Sequence, residues 1–171
     1  AAQFEWEKDN IAASKKAEII IIAVKPLMVQ TVLNEICPLR RDQIILSIAA
    51  GIPLSQLKKS SGGPSKIVRA MPNLPAQILV GMTTWIATID LSQKEKLLIS
   101  KIIECLGQHI QVRHEDMLNA ATAVCGCGPA FVAAFLDSMA RIALDKGFSE
   151  KESHLLALQT VGGTAALLHK N

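Results

Sequence analysis

Ala17-Glu-Ile-Ile-Ile-Ile-Ala-Val24 is the stretch that decides the fold class. An unbroken, mostly β-branched run of this kind reads as a strand buried on both faces, the pattern of a parallel sheet covered by helices. Lys25-Pro26 ends it, and from Pro26 to Ile36 the apolar residues Val29, Val32, Leu33 and Ile36 fall at helical spacing. Gln43 to Ala49 is a second buried strand, stopped at Gly51. A short helix over Leu54–Lys59 and a loop over Ser60–Ser65 lead to a third strand, Lys66–Met71, closed by Pro72-Asn73. Met82–Thr88 reads as a fourth strand. Ser92-x-x-Glu95 is a capping box for a helix through Leu97, Leu98, Ile102 and Leu106, with Gly107 as its stop. His109–Val112 is a short last strand, and Ala1–Lys16 is polar, a loop and a short helix.

After Arg113 the strand signals cease. Asn119-Ala-Ala-Thr-Ala-Val-Cys-Gly-Cys-Gly-Pro-Ala-Phe-Val132 predicts a tight turn at Gly126 and Gly128, then a helix that Pro129 starts and Gly147 stops. Its apolar face runs through Phe131, Val132, Phe135, Leu136, Met139, Ile142 and Ala143, with Asp137, Arg141 and Asp145 spaced to pair on the other side. A glycine turn opening onto a helix N-terminus suits an anion, and a plain corner between packed helices gives the same spacing. Ser149-x-x-Glu152 caps a last helix whose residues Leu155, Leu156, Leu158, Val161, Ala165 and Leu168 leave no polar face. Such a helix is buried inside a larger domain or against a second subunit. The chain thus divides near Arg113: residues 1–113 form an α/β half with a parallel sheet, and 114–171 a helical half.

Half of the 171 residues are hydrophobic, enough for a core, and there is no Tyr. A net charge of +3 without basic runs or interleaved aromatics gives no signal for nucleic acid. Cys37, Cys105, Cys125 and Cys127 form no disulfide framework, which suits the reducing cytoplasm. No consecutive apolar run approaches the ~20 residues of a membrane span. No signal peptide, internal repeat or low-complexity segment is visible, and the chain opens at Ala1 without Met.

Parallel sheets bind ligands beyond the carboxyl ends of their strands. Three strands end in distinctive residues, Lys25-Pro26, Ala50-Gly51 and Met71-Pro72-Asn73, which are expected on one edge lining one crevice. Ordinary turn punctuation produces the same residues. Lys25 suits a phosphate, or simple solvation at a strand end. Asn73 can reach a ligand, or serve as a turn residue. Glu115 and Asp116 at a helix start are by default there for the dipole. His109, His114, His154 and His169 show no metal or catalytic spacing. Cys125-x-Cys127 offers two ligands where structural zinc wants four, so no metal is expected.

The motifs together resemble pyrroline-5-carboxylate reductases. That family reads T-A-x-S-G-S-G-P-A-(Y/F) where this chain has Thr122–Phe131, with Cys125 and Cys127 in place of serines. Ala23-Val24-Lys25-Pro26, Ala49-Ala50-Gly51, Met71-Pro72-Asn73-Leu74-Pro75-Ala76 and Gln159-Thr160-Val161-x-Gly163 follow in family order. The resemblance implies reduction of the imine of 1-pyrroline-5-carboxylate to L-proline by NADPH or NADH. It implies cofactor contacts at Asn10, Ala23, Val24, Lys25, Pro26, Ala49, Ala50, Gly51 and Asn73. It implies a substrate site at Glu115, Cys125, Gly126, Cys127, Gly128 and Pro129, with thiols giving weaker hydrogen bonds than hydroxyls, and a homodimer or higher oligomer through residues 129–171. The family's G-x-G-x-x-G unit and its Ser-Pro-Gly-Gly-Thr-type loop, which carries the proton donor, are not found here. The resemblance therefore implies an incomplete Rossmann-like α/β domain over 1–113 and a helical dimerisation domain over 114–171, with the donor expected beyond Asn171. Another imine or hydroxyacid reductase of this plan, or a non-catalytic dimerisation module, are the alternatives.

Overall fold

A computed structural model describes residues 5–62 and 66–170, so part of the loop expected over Ser60–Ser65 lies outside the described residues. The chain forms two compact units, Ala1–Gly126 and Cys127–Asn171. The change in sequence character at Arg113 therefore precedes the division between units. Residues 114–126 go with the sheet because Glu115 and Cys125 are bonded to it.

The first unit runs α1 (Asn10–Lys16), β1 (Ile19–Ile22), α2 (Pro26–Ile36), β2 (Ile44–Ser47), α3 (Leu54–Ser60), β3 (Lys66–Pro72), a 3-10 turn (Leu74–Ile78), β4 (Gly81–Ala87), α4 (Gln93–Glu104), β5 (Gly107–Gln111), α5 (Asp116–Ala121) and a π turn (Thr122–Gly126). The strands lie side by side in chain order. β1, β2 and β3 are parallel, with Ile22 level with Ser47 and Ser47 with Arg69. β4 runs antiparallel to β3 and parallel to β5. The sheet is Rossmann-like but mixed. The cause is the connection: the few residues from Asn73 to Val80 reverse the chain, whereas a parallel return needs a crossover of a dozen or more.

β2 is buried at all four residues and shows why the run patterns read as they do. Ile45 joins Val29, Leu33, Leu57 and Ile67 under α2 and α3. Its neighbours Ile44 and Leu46 join Val68, Ala70, Trp85, Ile99 and Ile103 under α4. Alternate side chains thus fill two cores, one on each face of the sheet. The Ser92–Glu95 capping box is present, and Glu95 also pairs with Lys66 at the start of β3. Trp85 donates its indole N–H to Nδ1 of His109 at 3.2 Å, and Nε2 of His109 lies 3.0 Å from Ser100 Oγ, which keys β4, β5 and α4 together.

Gly107, expected only to stop α4, is the first residue of β5 at φ 127° and pairs in register with Gly81. A Cβ on Gly107 would run into the Gly81 carbonyl, and one on Gly81 would come within 2.7 Å of the Ala76 backbone. Two glycines in register let three backbone segments touch.

The second unit is a pair of helices, α6 (Gly128–Asp145) and α7 (Glu150–His169). Arg141 pairs with Asp137 at 2.8 Å. Phe148 N–H bonds the Ala143 carbonyl and Gly147 N–H that of Leu144, a Schellman ending for α6. Among the described residues the seam buries only Ala140, Ser153 and Ala157. Phe131, Phe135, Ile142, Leu155, Leu158 and Leu168 are exposed. By length and composition alone, Asp116–Asp145, with an 18-residue window of mean hydropathy 1.5, is also apolar enough to cross a membrane, a test that the core helix of a soluble protein passes as well.

Candidate active site

The parallel register of β1, β2 and β3 puts the turns after all three strands on one edge of the sheet. Ala23–Pro26, Ala49–Gly51 and Pro72-Asn73 are therefore neighbours, as expected from the strand ends. At β1, Lys25 is the N-cap of α2 and makes no side-chain capping bond, while Pro26 takes the first helical position. The start of α2 lies at this edge with Lys25 exposed; Pro26 brings no N–H and the Met28 N–H bonds the Lys25 carbonyl at 2.8 Å, so the helix dipole and the lysine charge are what favour an anion there. At β2, Gly51 has φ 75°, and a Cβ built on it would meet nothing within 4 Å. The positive φ favours glycine there, and the open space leaves its backbone accessible to a flat ligand.

Asn10 heads α1, where Asp9 Oδ1 accepts from the N–H groups of Ile11 and Ala12, and its Nδ2 donates to Glu35 Oε2 at 3.2 Å. It lines a groove of about 310 Å³ along β1 with Ala13, Ile20, Ile22, Ala23 and Val24. The structure thus brings Asn10 together with Ala23 and Val24.

Glu115 stands at the N-cap of α5 but its carboxylate reaches elsewhere. Oε1 accepts from the Leu54 N–H at 2.8 Å and from Arg69 Nη1 at 2.6 Å. It caps α3 across space and neutralises a cation that is only 9% exposed. Arg69 was missed in the sequence. Its signal is a charge at an interior position of a buried strand, since a cation there needs a partner.

The tight glycine turn expected at Gly126 and Gly128 is not observed. Thr122–Gly126 form a π turn, and Cys127 is itself in the right-handed helical region. The glycine at 126 serves closeness rather than an unusual φ: a Cβ there would lie 3.0 Å from Thr122 Cγ2, whose hydroxyl bonds the Leu118 carbonyl. Asn73 Nδ2 donates to the Cys125 carbonyl at 3.1 Å and holds the turn against the end of β3. Cys127, Gly128 and Pro129 open the second unit. No cluster of three metal-ligating side chains occurs among the described residues.

Known proteins resemble this chain in sequence and in fold. Residues 115–171 match the family model described as pyrroline-5-carboxylate reductase dimerisation. Residues 2–51 match one described as NADP oxidoreductase, coenzyme F420-dependent. A pyrroline-5-carboxylate reductase of Escherichia coli is 36% identical over 153 residues, 89% of this chain and 56% of the relative. The relatives are pyrroline-5-carboxylate reductases. Among solved structures, the Coxiella burnetii reductase superposes with a TM-score of 0.89 at 29% identity, over 96% of this chain and 62% of that one. The Plasmodium falciparum enzyme, solved with NADP bound, superposes with a TM-score of 0.88 at 30% identity, over 96% and 63%. The resemblance carried by the sequence motifs is borne out, and so is the Rossmann-like fold. This chain spans about three fifths of the length of these reductases.

Proposed function

We propose that this chain carries the cofactor-holding and substrate-facing core of a pyrroline-5-carboxylate reductase. The reaction is hydride transfer from NAD(P)H to the C=N bond of 1-pyrroline-5-carboxylate, giving L-proline. One observation carries the reading: the strand-end turns that match the family motifs all fall on one sheet edge, in a chain similar to these reductases over nearly its whole length. The edge fits a dinucleotide in two respects, an uncapped helix N-terminus beside a lysine and a glycine whose backbone is open to close approach.

Ala23, Val24, Lys25 and Pro26 hold the anionic part of the cofactor, with the α2 dipole and the Lys25 ammonium supplying the positive field. Ala49, Ala50 and Gly51 present backbone to its flat part, Asn10 borders the groove along β1, and Asn73 stands beside them at the end of β3. When bound, the cofactor supplies the hydride. Cys125, Gly126, Cys127, Gly128 and Pro129, where the family signature lies, are the residues assigned to the substrate carboxylate, and Glu115 keeps the start of α5 on the sheet. Holding two reactants in register is the chief contribution of such a site.

The exposed apolar faces of α6 and α7 make a homodimer or higher oligomer through residues 129–171 part of the reading. A reducing compartment, the cytoplasm, suits four cysteines that are all free. The test is NADPH binding by the 171-residue chain and by Gly51→Val. Affinity in the parent that is lost in the variant supports the site. Equal binding by both places the cofactor elsewhere, and no binding by either favours a dimerisation module.

A further inference from the structure

The Cys125 carbonyl lies in the π turn, just before Cys127, the N-cap of α6, whose first turn holds Pro129. The N–H groups of Ala130 and Phe131 are directed to the Cys127 carbonyl at 3.0 and 3.3 Å. The Cys125 carbonyl accepts from Asn73 Nδ2 at 3.1 Å, from 52 residues earlier in the chain.

Asn73 is engaged on every side that this task requires. Its Oδ1 accepts from the Met82 N–H at 2.8 Å. Its own N–H donates to the Met82 carbonyl at 3.2 Å, and its carbonyl accepts from Ala76 N–H at 3.1 Å. One donor is needed towards Cys125 and one acceptor towards Met82, so only a primary amide satisfies both; turned over, it would set oxygen against oxygen and hydrogen against hydrogen. Pro72 and Pro75 stiffen the loop that carries it.

We propose that Asn73 is a positioning residue: its amide donates to the Cys125 carbonyl and so fixes the π turn Thr122–Gly126 at the end of β3. The amide acts through the turn and not by touching the cofactor. Its consequence for ligands rests on the reading above, in which the segment starting at Cys125 receives the substrate carboxylate.

Asn73→Asp separates the two bonds, since a carboxylate still accepts from Met82 N–H but cannot donate to Cys125. Hydrogen exchange on the full chain should show amides in residues 122–126 exchanging about tenfold faster in Asn73→Asp, the size of one lost hydrogen bond, with Met82 still protected. In Asn73→Ala both should loosen. Turn exchange in Asn73→Asp at the parent's rate would overturn the proposal. Binding supplies the second readout: Asn73→Asp should weaken L-proline about tenfold, and by more than it weakens NADPH. Weaker NADPH binding with unchanged exchange would return Asn73 to direct cofactor contact and also overturn it. If the parent binds neither ligand, the functional reading fails, and the exchange experiment still decides the role of Asn73.

Discussion

Arg69 Nη1 lies 2.6 Å from Glu115 Oε1, and that same oxygen accepts the Leu54 N–H at 2.8 Å. One carboxylate oxygen therefore joins the middle of β3, the first residue of α3 and the residue that opens α5. The guanidinium is nearly buried and the carboxylate partly so, at 9% and 29% exposure. Breaking a buried pair by removing one partner costs roughly 3–5 kcal/mol, because the remaining charge is left unpaired. Partial exposure of Glu115 moves the expectation to about 2–3 kcal/mol for Glu115→Ala, measured as a lower denaturation midpoint in urea. A loss under about 1 kcal/mol would show that water reaches Arg69 and replaces the carboxylate.

Gly51 and Gly107 both have positive φ, yet they should respond differently to alanine. Gly51→Ala meets no atom, so its cost is conformational, about 1–2 kcal/mol. Gly107→Ala adds a collision with Gly81 backbone that no rotamer relieves. Chain carrying Gly51→Ala should fold and melt slightly lower, while Gly107→Ala should be largely insoluble or unfolded by circular dichroism. Similar behaviour of the two variants would contradict the close approach of β5 to β4.

The α4 capping box carries a pH dependence. Lys66, foremost, together with the Ser92 N–H and hydroxyl, lowers the Glu95 carboxyl to about 2. A folded value below the unfolded one means that the carboxylate stabilises above about pH 4.5, and that this is lost as pH falls towards 2. With screening at a partly exposed site, the contribution is on the order of 1 kcal/mol. Glu95→Gln should flatten the stability profile between roughly pH 5 and 2 relative to the parent, by thermal melts across that range. An unchanged slope would remove Glu95 from the acid response.

Leu158 is 62% exposed on α7, and Ala157 beside it is 3% exposed in the seam with α6. If a second copy covers the outer face, Leu158→Asp should convert the sedimenting species from dimer to monomer with the helical signal intact, because an unpaired charge is expensive at a buried interface. Ala157→Asp should instead part the two helices. A parent that sediments as a monomer at micromolar concentration would refute the dimer.

The two-sided core was legible because an uninterrupted run such as Ile44–Leu46 is a local property of a parallel strand. Helix ends were legible for the same reason: Ser92 with Glu95, and Ser149 with Glu152, lie within one turn of each other. The two-sided reading failed for Ile19–Ile22, which forms the first strand of the sheet with Ile22 buried and Ile21 52% exposed, because a run of isoleucines does not say whether a second strand flanks it. The direction of β4 had no residue pattern of its own and followed from the brevity of its connection to β3. The π turn was hidden because glycines at 126 and 128 spell a turn in sequence, whereas the backbone there stays helical and a Cβ on Gly126 would crowd the Thr122 methyl at 3.0 Å. Arg69 with Glu115, and Asn73 with Cys125, are long-range pairs, and no local spacing marks them.

The seam of Ala140, Ser153 and Ala157 sets how residues 127–171 respond to dilution. Small side chains let two helices approach but remove little apolar surface from water. A hairpin joined in this way draws its stability from whatever covers its leucines and phenylalanines, and that supply obeys mass action. The sheet unit keeps its own two cores at any concentration. Dilution should therefore act as a selective denaturant, lowering the melting temperature of the helical unit while that of the sheet stays fixed.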